Sequence, residues 1–232
     1  MRRSGRWVRL GRSWYTVEGW RLLRVPDIRG AVDMDAAMDQ NVWARILDDG
    51  NEAGSTISEE SDADGGWTQD TGEVFRVRFE MVETSGNNAN TRTYQLEYNH
   101  EGGGWNTVGA GTPIQSAVSA ETSRTITDGE ATSDRLTGSA GVFGAGQYAE
   151  DGLTGAFTIQ ANRHTDVEYC VTIDAAQVAD ADTIALRVIM SGAQSTPTYG
   201  ATPTMTVHKI ETTIPHKVTG RKQAAVHDAA IW

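Results

Sequence analysis

The sequence predicts an all-β protein, an antiparallel β-sandwich of jelly-roll type, carrying a basic N-terminal arm and a C-terminal extension. Three observations point there. Apolar residues recur at every second position in one run after another. The runs are separated by stretches rich in Gly, Asn and Asp. No helix-period segment is long enough to connect two parallel strands. Alternation of this kind means one face buried and one solvated, the habit of antiparallel sheets. Several short strands with turn chemistry at this density make a sandwich or jelly roll.

Residues 1–30 form the arm. "GRWVRLGRSWYTVEGWRLLRV" sets Trp7, Trp14 and Trp20 among arginines, with Val8 and Leu10 alternating with Trp7 and Arg9. Short strands around Gly11 and Gly19 fit this pattern. A basic amphipathic helix over residues 14–24 fits as well, since Gly19 only weakens it. Pro26 and Gly30 then mark a change of charge sign.

Residues 31–207 form the expected sandwich. In "EVFRVRFEMVE", Phe75, Val77, Phe79 and Met81 share one face, and Arg76, Arg78 and Glu80 the other. "TYQLEYNH" aligns Tyr94, Leu96 and Tyr98. "HTDVEYCVTI" aligns Val167, Tyr169, Val171 and Ile173, and "TIALRVIM" aligns Ile184, Leu186, Val188 and Met190. Further strand candidates are "NVWARIL", "IQSAVS", "GAFTIQA" and "TPTMTV". "HEGGGWN", "TSGNNANT" and "GSAGVFGAG" are turn and loop chemistry. A short helical turn is expected in "DAAQVADADT". Residues 208–232 lose the alternation, running extended through Pro215 and then with helical character over "KQAAVHDAA".

At 232 residues the chain can bury a core without disulfides or metals, and its one cysteine, Cys170, rules out an internal disulfide. No apolar run approaches the ~20 residues that span a bilayer, and the start has no apolar core of a secretory signal. Folding in a reducing cytoplasm is expected. The net charge is −11, unevenly spread. Residues 1–30 carry eight Arg against Glu18 and Asp27, whereas residues 31–207 carry 27 acids against eight Arg. Residues 208–232 are mildly basic. An acidic body repels nucleic acid, while basic ends suit an acidic neighbour.

Chemistry-bearing motifs are sparse. There is no G-x-S-x-G elbow, P-loop or dinucleotide fingerprint, and the five histidines show no metal-ligand spacing. His164, Asp166 and Glu168 share one strand face, where a metal or general base is conceivable. The expected reading is a solvated outer face that also takes in Cys170. The acidic "EESDADGG" is the best calcium candidate, with Glu60, Asp62 and Asp64 at ligand spacing before Gly65. It departs from the calcium-loop pattern in its first ligand and in Thr71 at the twelfth position, where Asp70 stands one residue early. Otherwise it is a hydrated loop, and no cofactor is expected. Trp67 and Trp105 follow glycine runs, so they either present rings to a ligand such as a sugar or fold back onto their own sheet.

"TYQLEYNHEGGGWNTV", "TDGEATSDRLTGSAGVFGAG", "EYCVTIDAAQVADADTIALRV" and "YGATPTMTV" together resemble a β-rich module of tailed bacteriophage and prophage structural gene clusters, over roughly residues 40–207. "RWVRLGRSWYTVEGWRLLRV" resembles short Trp/Arg/Gly repeats of phage tail proteins. The resemblance implies a virion component rather than an enzyme: a capsid decoration or cement protein, or another accessory head protein. Its partners would be the major capsid protein or other virion subunits, in many copies or as a homo-oligomer, with neither nucleic acid nor membrane involved. The particle-binding residues would be Arg2, Arg3, Arg6, Trp7, Arg9, Arg12, Trp14, Trp20, Arg21 and Arg24. The alternative is a tail-fibre module that grips host glycans through Trp67 and Trp105.

Overall fold

The computed structural model describes residues 36–120, 126–138, 141–191 and 197–211, together with the backbone of three strands in the N-terminal arm. Those are β1 (Arg6–Leu10), β2 (Ser13–Glu18) and β3 (Arg21–Arg24), an antiparallel meander of its own. Arg9 pairs with Trp14 across β1 and β2, and Glu18 pairs with Arg21 across β2 and β3. Of the two forms that the arm's sequence allows, strands are therefore found and the helix is not. Arg2, Arg3, Arg12 and Trp20 lie outside the described residues, as does the helical character expected over "KQAAVHDAA".

The remaining elements follow as β4 (Met38–Leu47), β5 (Ile57–Ser61), β6 (Thr68–Asp70), β7 (Val74–Glu83), β8 (Tyr94–His100), β9 (Trp105–Thr107), β10 (Ile114–Ser116), β11 (Val142–Phe143), β12 (Tyr148–Ala149), β13 (Arg163–Ile173), β14 (Thr183–Met190), β15 (Thr198–Tyr199) and β16 (Thr204–His208). They build two sheets. One runs β10-β13-β7-β4-β15, with β5 also on β4 and with β11 and β12 beside β10 along the edge of β13; the other runs β6-β16-β14-β8-β9. The long pairs are antiparallel, as the alternation predicts, and parallel pairing is confined to two- and three-residue strands. The architecture is an all-β sandwich with mixed sheets. This strand order does not by itself carry the finer expectation of a jelly roll.

Between the sheets lie the alternate residues read from the sequence. Phe75, Val77, Phe79 and Met81 of β7, with Val167, Tyr169 and Val171 of β13, face Tyr94, Leu96, Leu186 and Val188 of the second sheet. Fully burying each such side chain is worth roughly 1.5–3 kcal/mol. Gln40 reaches into this core, donating to Ala201 O at 2.7 Å and accepting from Val188 N at 2.9 Å, which ties β4 to the facing sheet. Gly66 permits a close crossing, because a Cβ there would sit 1.5 Å from Thr204 O.

Several local expectations change. "GAFTIQA" is extended chain with one isolated bridge, Phe157 to Arg92, and "DAAQVADADT" is a pair of turns rather than a helical turn. "IQSAVS" is a strand only over its first three residues. Part of the acidic stretch read as a loop is strand β5. β16 runs to His208, and Lys209 is held through Asp180 Oδ1 and Val178 O, at 2.9 Å each. Among the described residues, no helix is long and apolar enough to cross a membrane.

The largest departure concerns the outer face of the first sheet. β14 and β16 alternate buried and less buried residues as expected. β7 and β13, in contrast, are buried on both faces. Connections from residues 48–56, 126–138 and 144–149 fold over the outer face. Two satellite apolar clusters anchor them: Leu136 packs with Val42, Ala44 and Ile46, while Ile126 and Tyr148 pack with Cys170.

Candidate functional site

Beneath this cover lies a buried ionic array. The pleat of β7 sends Arg76, Arg78 and Glu80 outward, and register places them opposite Cys170, Glu168 and Asp166 of β13. All six are fully buried, so His164, Asp166, Glu168 and Cys170 do not form the solvated face expected of them. The flanking positions on β4 are Ile46, Ala44 and Val42, so the charges form a stripe bordered by apolar side chains.

Arg78 is the hub. Its Nε donates to Glu168 Oε2 at 2.6 Å, and its Nη1 donates to Asp166 Oδ2 at 3.2 Å and to Ser133 O at 2.9 Å. Its Nη2 meets Glu52 from the covering 48–56 connection. Burial disfavours the guanidinium's charge, but Glu168, Asp166 and Glu52 outweigh it and hold the Arg78 pKa above its ordinary value. Arg76 joins Glu168 at 3.1 Å and donates through Nη2 to Leu47 O and Gly50 O at 3.1 and 3.2 Å. Burial would raise the Glu52 pKa; the Ser133 N–H at 2.8 Å and Arg78 reverse this and keep it low.

The cover is stitched to the array from both sides. Arg135 donates to Glu52 O and Ser55 O, and its backbone N–H reaches Asp166 Oδ2 at 3.3 Å. Thr132 Oγ1 donates to Asp166 O at 2.6 Å and accepts from Gly146 N at 3.0 Å. Gly146 is required there, because a Cβ would fall 2.0 Å from Asp166 O.

Arg76 Nε, Asp166 Oδ1 and Glu168 Oε1 lack hydrogen bonds as well, but Glu80 is the acid of the array with no hydrogen-bonded oxygen at all. It is fully buried, neither carboxyl oxygen has a hydrogen-bond partner, and its cross-strand neighbour is another acid, Asp166. Burial first, then Asp166, Asp134 and Glu60, push its pKa up to about 8. Burial likewise lifts Asp166, to about 6, against the pull of Arg78. The pair is sealed from solvent, so the chemistry open to it in this conformation is proton binding. Cys170 is equally enclosed. Burial pushes its thiol up to about 12, which removes the thiolate that a nucleophile needs.

The other sequence candidates are dispersed. Trp67 is buried, its ring 5.5 Å from Trp43 and 6.0 Å from Phe75, with Nε1 donating to Gln69 Oε1 at 3.0 Å. It is a core residue and offers no platform. Trp105 is half-buried, with the Arg187 guanidinium 4.1 Å from its ring centre and Glu97 2.7 Å from Arg187. Glu60 accepts from Thr137 N and Oγ1 at 2.6 Å, and Asp64 from Thr202 N at 2.8 Å, while Asp62 is exposed. Among the described residues, no three His, Cys, Asp or Glu side chains are grouped to hold a metal ion. Glu60 and Asp64 thus serve as loop ties.

Sequence reasoning placed Arg76, Arg78 and Glu80 on one face of their strand, and Asp166 and Glu168 on one face of another, but took both faces for solvent and did not join them. A signal was present: opposite charges at matching alternate positions of two long strands, and a strand-poor stretch between residues 117 and 162 needing a surface to lie on. Comparison of the sequence with protein-family models and with curated proteins finds no match.

Proposed function

We propose that the protein is a structural component of a tailed-phage virion, a capsid decoration, cement or accessory head protein assembled in the host cytoplasm. The observation that carries this reading is the contrast between two units. Among the described residues a meander rich in Arg and Trp forms a sheet of its own, and the sandwich has an acidic sequence and a core and an ionic array both enclosed. A slab sealed on both faces of its main sheet suits a rigid plate, while a basic, aromatic-rich sheet suits docking on an acidic shell of major capsid protein or other virion subunits. Many identical contacts around a particle would multiply a modest individual affinity. The resemblance of residues 40–207 to the phage module supports the same reading.

The test is deletion of residues 1–30. The truncated protein is expected to stay folded and soluble and to drop out of purified particles, where the full chain is present in many copies. Normal incorporation of the truncated protein overturns the proposal, as does a full chain found at only a few copies per particle. The glycan-gripping alternative has lost one of its two aromatic platforms with the burial of Trp67, and Trp105 already carries Arg187 on its ring.

A further inference from the structure

Away from the ionic array, a cavity of about 250 Å³ opens where the 143–146 and 158–160 segments meet the start of β13. Its lining includes Gly144, Thr158, Ile159, Gln160, Arg163 and Thr165. Three features set it apart. No carboxylate lines it, although the surrounding sequence is strongly acidic. Arg45, Arg76, Arg78 and Arg187 each meet a carboxylate, whereas among the described residues the Arg163 guanidinium has only Phe143 O at 3.5 Å, a marginal hydrogen bond. The Thr165 hydroxyl is buried with no partner.

We propose that this cavity binds a sugar acid, a small hydroxylated carboxylate. The planar fork of Arg163 matches a carboxylate with two parallel N–H···O bonds. A phosphate would ask for a second cation, and the lining holds none. Of the remaining polar groups, the exposed Gln160 amide suits ring hydroxyls, and the exposed Thr158 hydroxyl, 3.0 Å from Thr91 Oγ1, keeps a further lone pair for one. The volume lies below the ~300–1,000 Å³ of drug-sized sites, which limits the ligand to about one ring. This inference is independent of the virion reading, and a failed incorporation experiment leaves it standing.

Titration of the full chain with glucuronate, glucose and acetate, followed by ligand-observed NMR, tests it. Glucuronate is expected to bind saturably in the millimolar range, with glucose and acetate several-fold weaker. Arg163→Gln is expected to weaken glucuronate about tenfold or more, with an unchanged melting temperature showing that the fold is kept. Should Arg163→Gln unfold, Arg163→Lys retains the charge without the fork and is expected to lose part of the affinity. Absence of saturable glucuronate binding, equal binding of glucose or of acetate, or affinity indifferent to both Arg163 variants overturns the proposal.

Discussion

Replacing Glu80 by Gln should alter how stability depends on pH far more than stability at any one acidic pH. The folded pKa of Glu80 is raised from 4.5 to about 8, so between those values the native state binds the proton that the unfolded chain releases. The Glu80 contribution to stability is therefore fully present below pH 4.5, falls as pH rises toward 8 and is level beyond. Each unit is worth 1.36 kcal/mol, which sets a ceiling of about 5 kcal/mol; water penetration and relaxation of the cover reduce this to roughly 2–3 kcal/mol. Asp166, raised from 3.8 to about 6, acts with the same sign at lower pH and remains in the variant. Gln keeps the shape of Glu80 and cannot ionise. Denaturant unfolding at pH 5, 6.5 and 8.5, followed by the fluorescence of the buried Trp43 and Trp67, measures the difference from the midpoints. The variant should lie within ~1 kcal/mol of the wild type at pH 5 and exceed it by about 2 kcal/mol at pH 8.5. A gap that stays constant across this range would show that Glu80 does not carry the buried proton.

Arg78→Met leaves Glu52, Asp166 and Glu168 enclosed without their shared cation, a loss of about 3–5 kcal/mol that should lower the melting temperature by roughly 10 °C in a chain of this size. A loss under ~1 kcal/mol would mean that the carboxyls simply take up protons. Trp67→Ala should cost about 3–5 kcal/mol in chemical denaturation as a core truncation, whereas Trp105→Ala, which loses an Arg187 contact at a half-buried site, should cost near 1 kcal/mol. Cys170 should stay silent to a thiol reagent at pH 8 in the native protein and react fully in denaturant; rapid native labelling would contradict its enclosure.

The core was legible because it obeys a two-residue period. Phe75, Val77, Phe79 and Met81, and Val167, Tyr169, Val171 and Ile173, are buried as read. The same period misled on the other face, where Arg76, Arg78, Asp166 and Glu168 look polar and hence wet. Period tells which residues share a face; whether that face meets water depends on chain from elsewhere. Here the cover comes from residues 126–138 and 144–149, whose Gly, Ser and Thr content reads as loop, and loops are ordinarily on the surface. Glu80 could not have been singled out from neighbouring acids by sequence, since its isolation arises from register with Asp166. Trp67 was ambiguous because a Trp after two glycines suits a loop tip equally well. The close Gly66–Thr204 crossing that brings this segment onto the core is a tertiary fact.

A cover built from a long irregular connection needs something that fixes one position for it. Apolar contacts alone would tolerate sliding, and the apolar patches at Leu136 and Tyr148 lie on either side of the charged stripe. The ionic array supplies direction. Arg78 meets Ser133 O, Arg135 meets the carbonyls of Glu52 and Ser55, and Thr132 is set between Asp166 and Gly146. Buried ion pairs contribute little net stability against well-packed apolar replacements, yet breaking one partner is costly, so their value here lies in the uniqueness of the arrangement. It follows that a joint apolar replacement, Arg78→Met with Glu168→Leu, should recover much of the stability that Arg78→Met alone loses, while loosening the 126–136 segment. Amide hydrogen exchange would detect this as faster exchange at Thr132 and Arg135 at equal global stability. Unchanged protection there would assign the placement of the cover to Leu136 and Tyr148 instead.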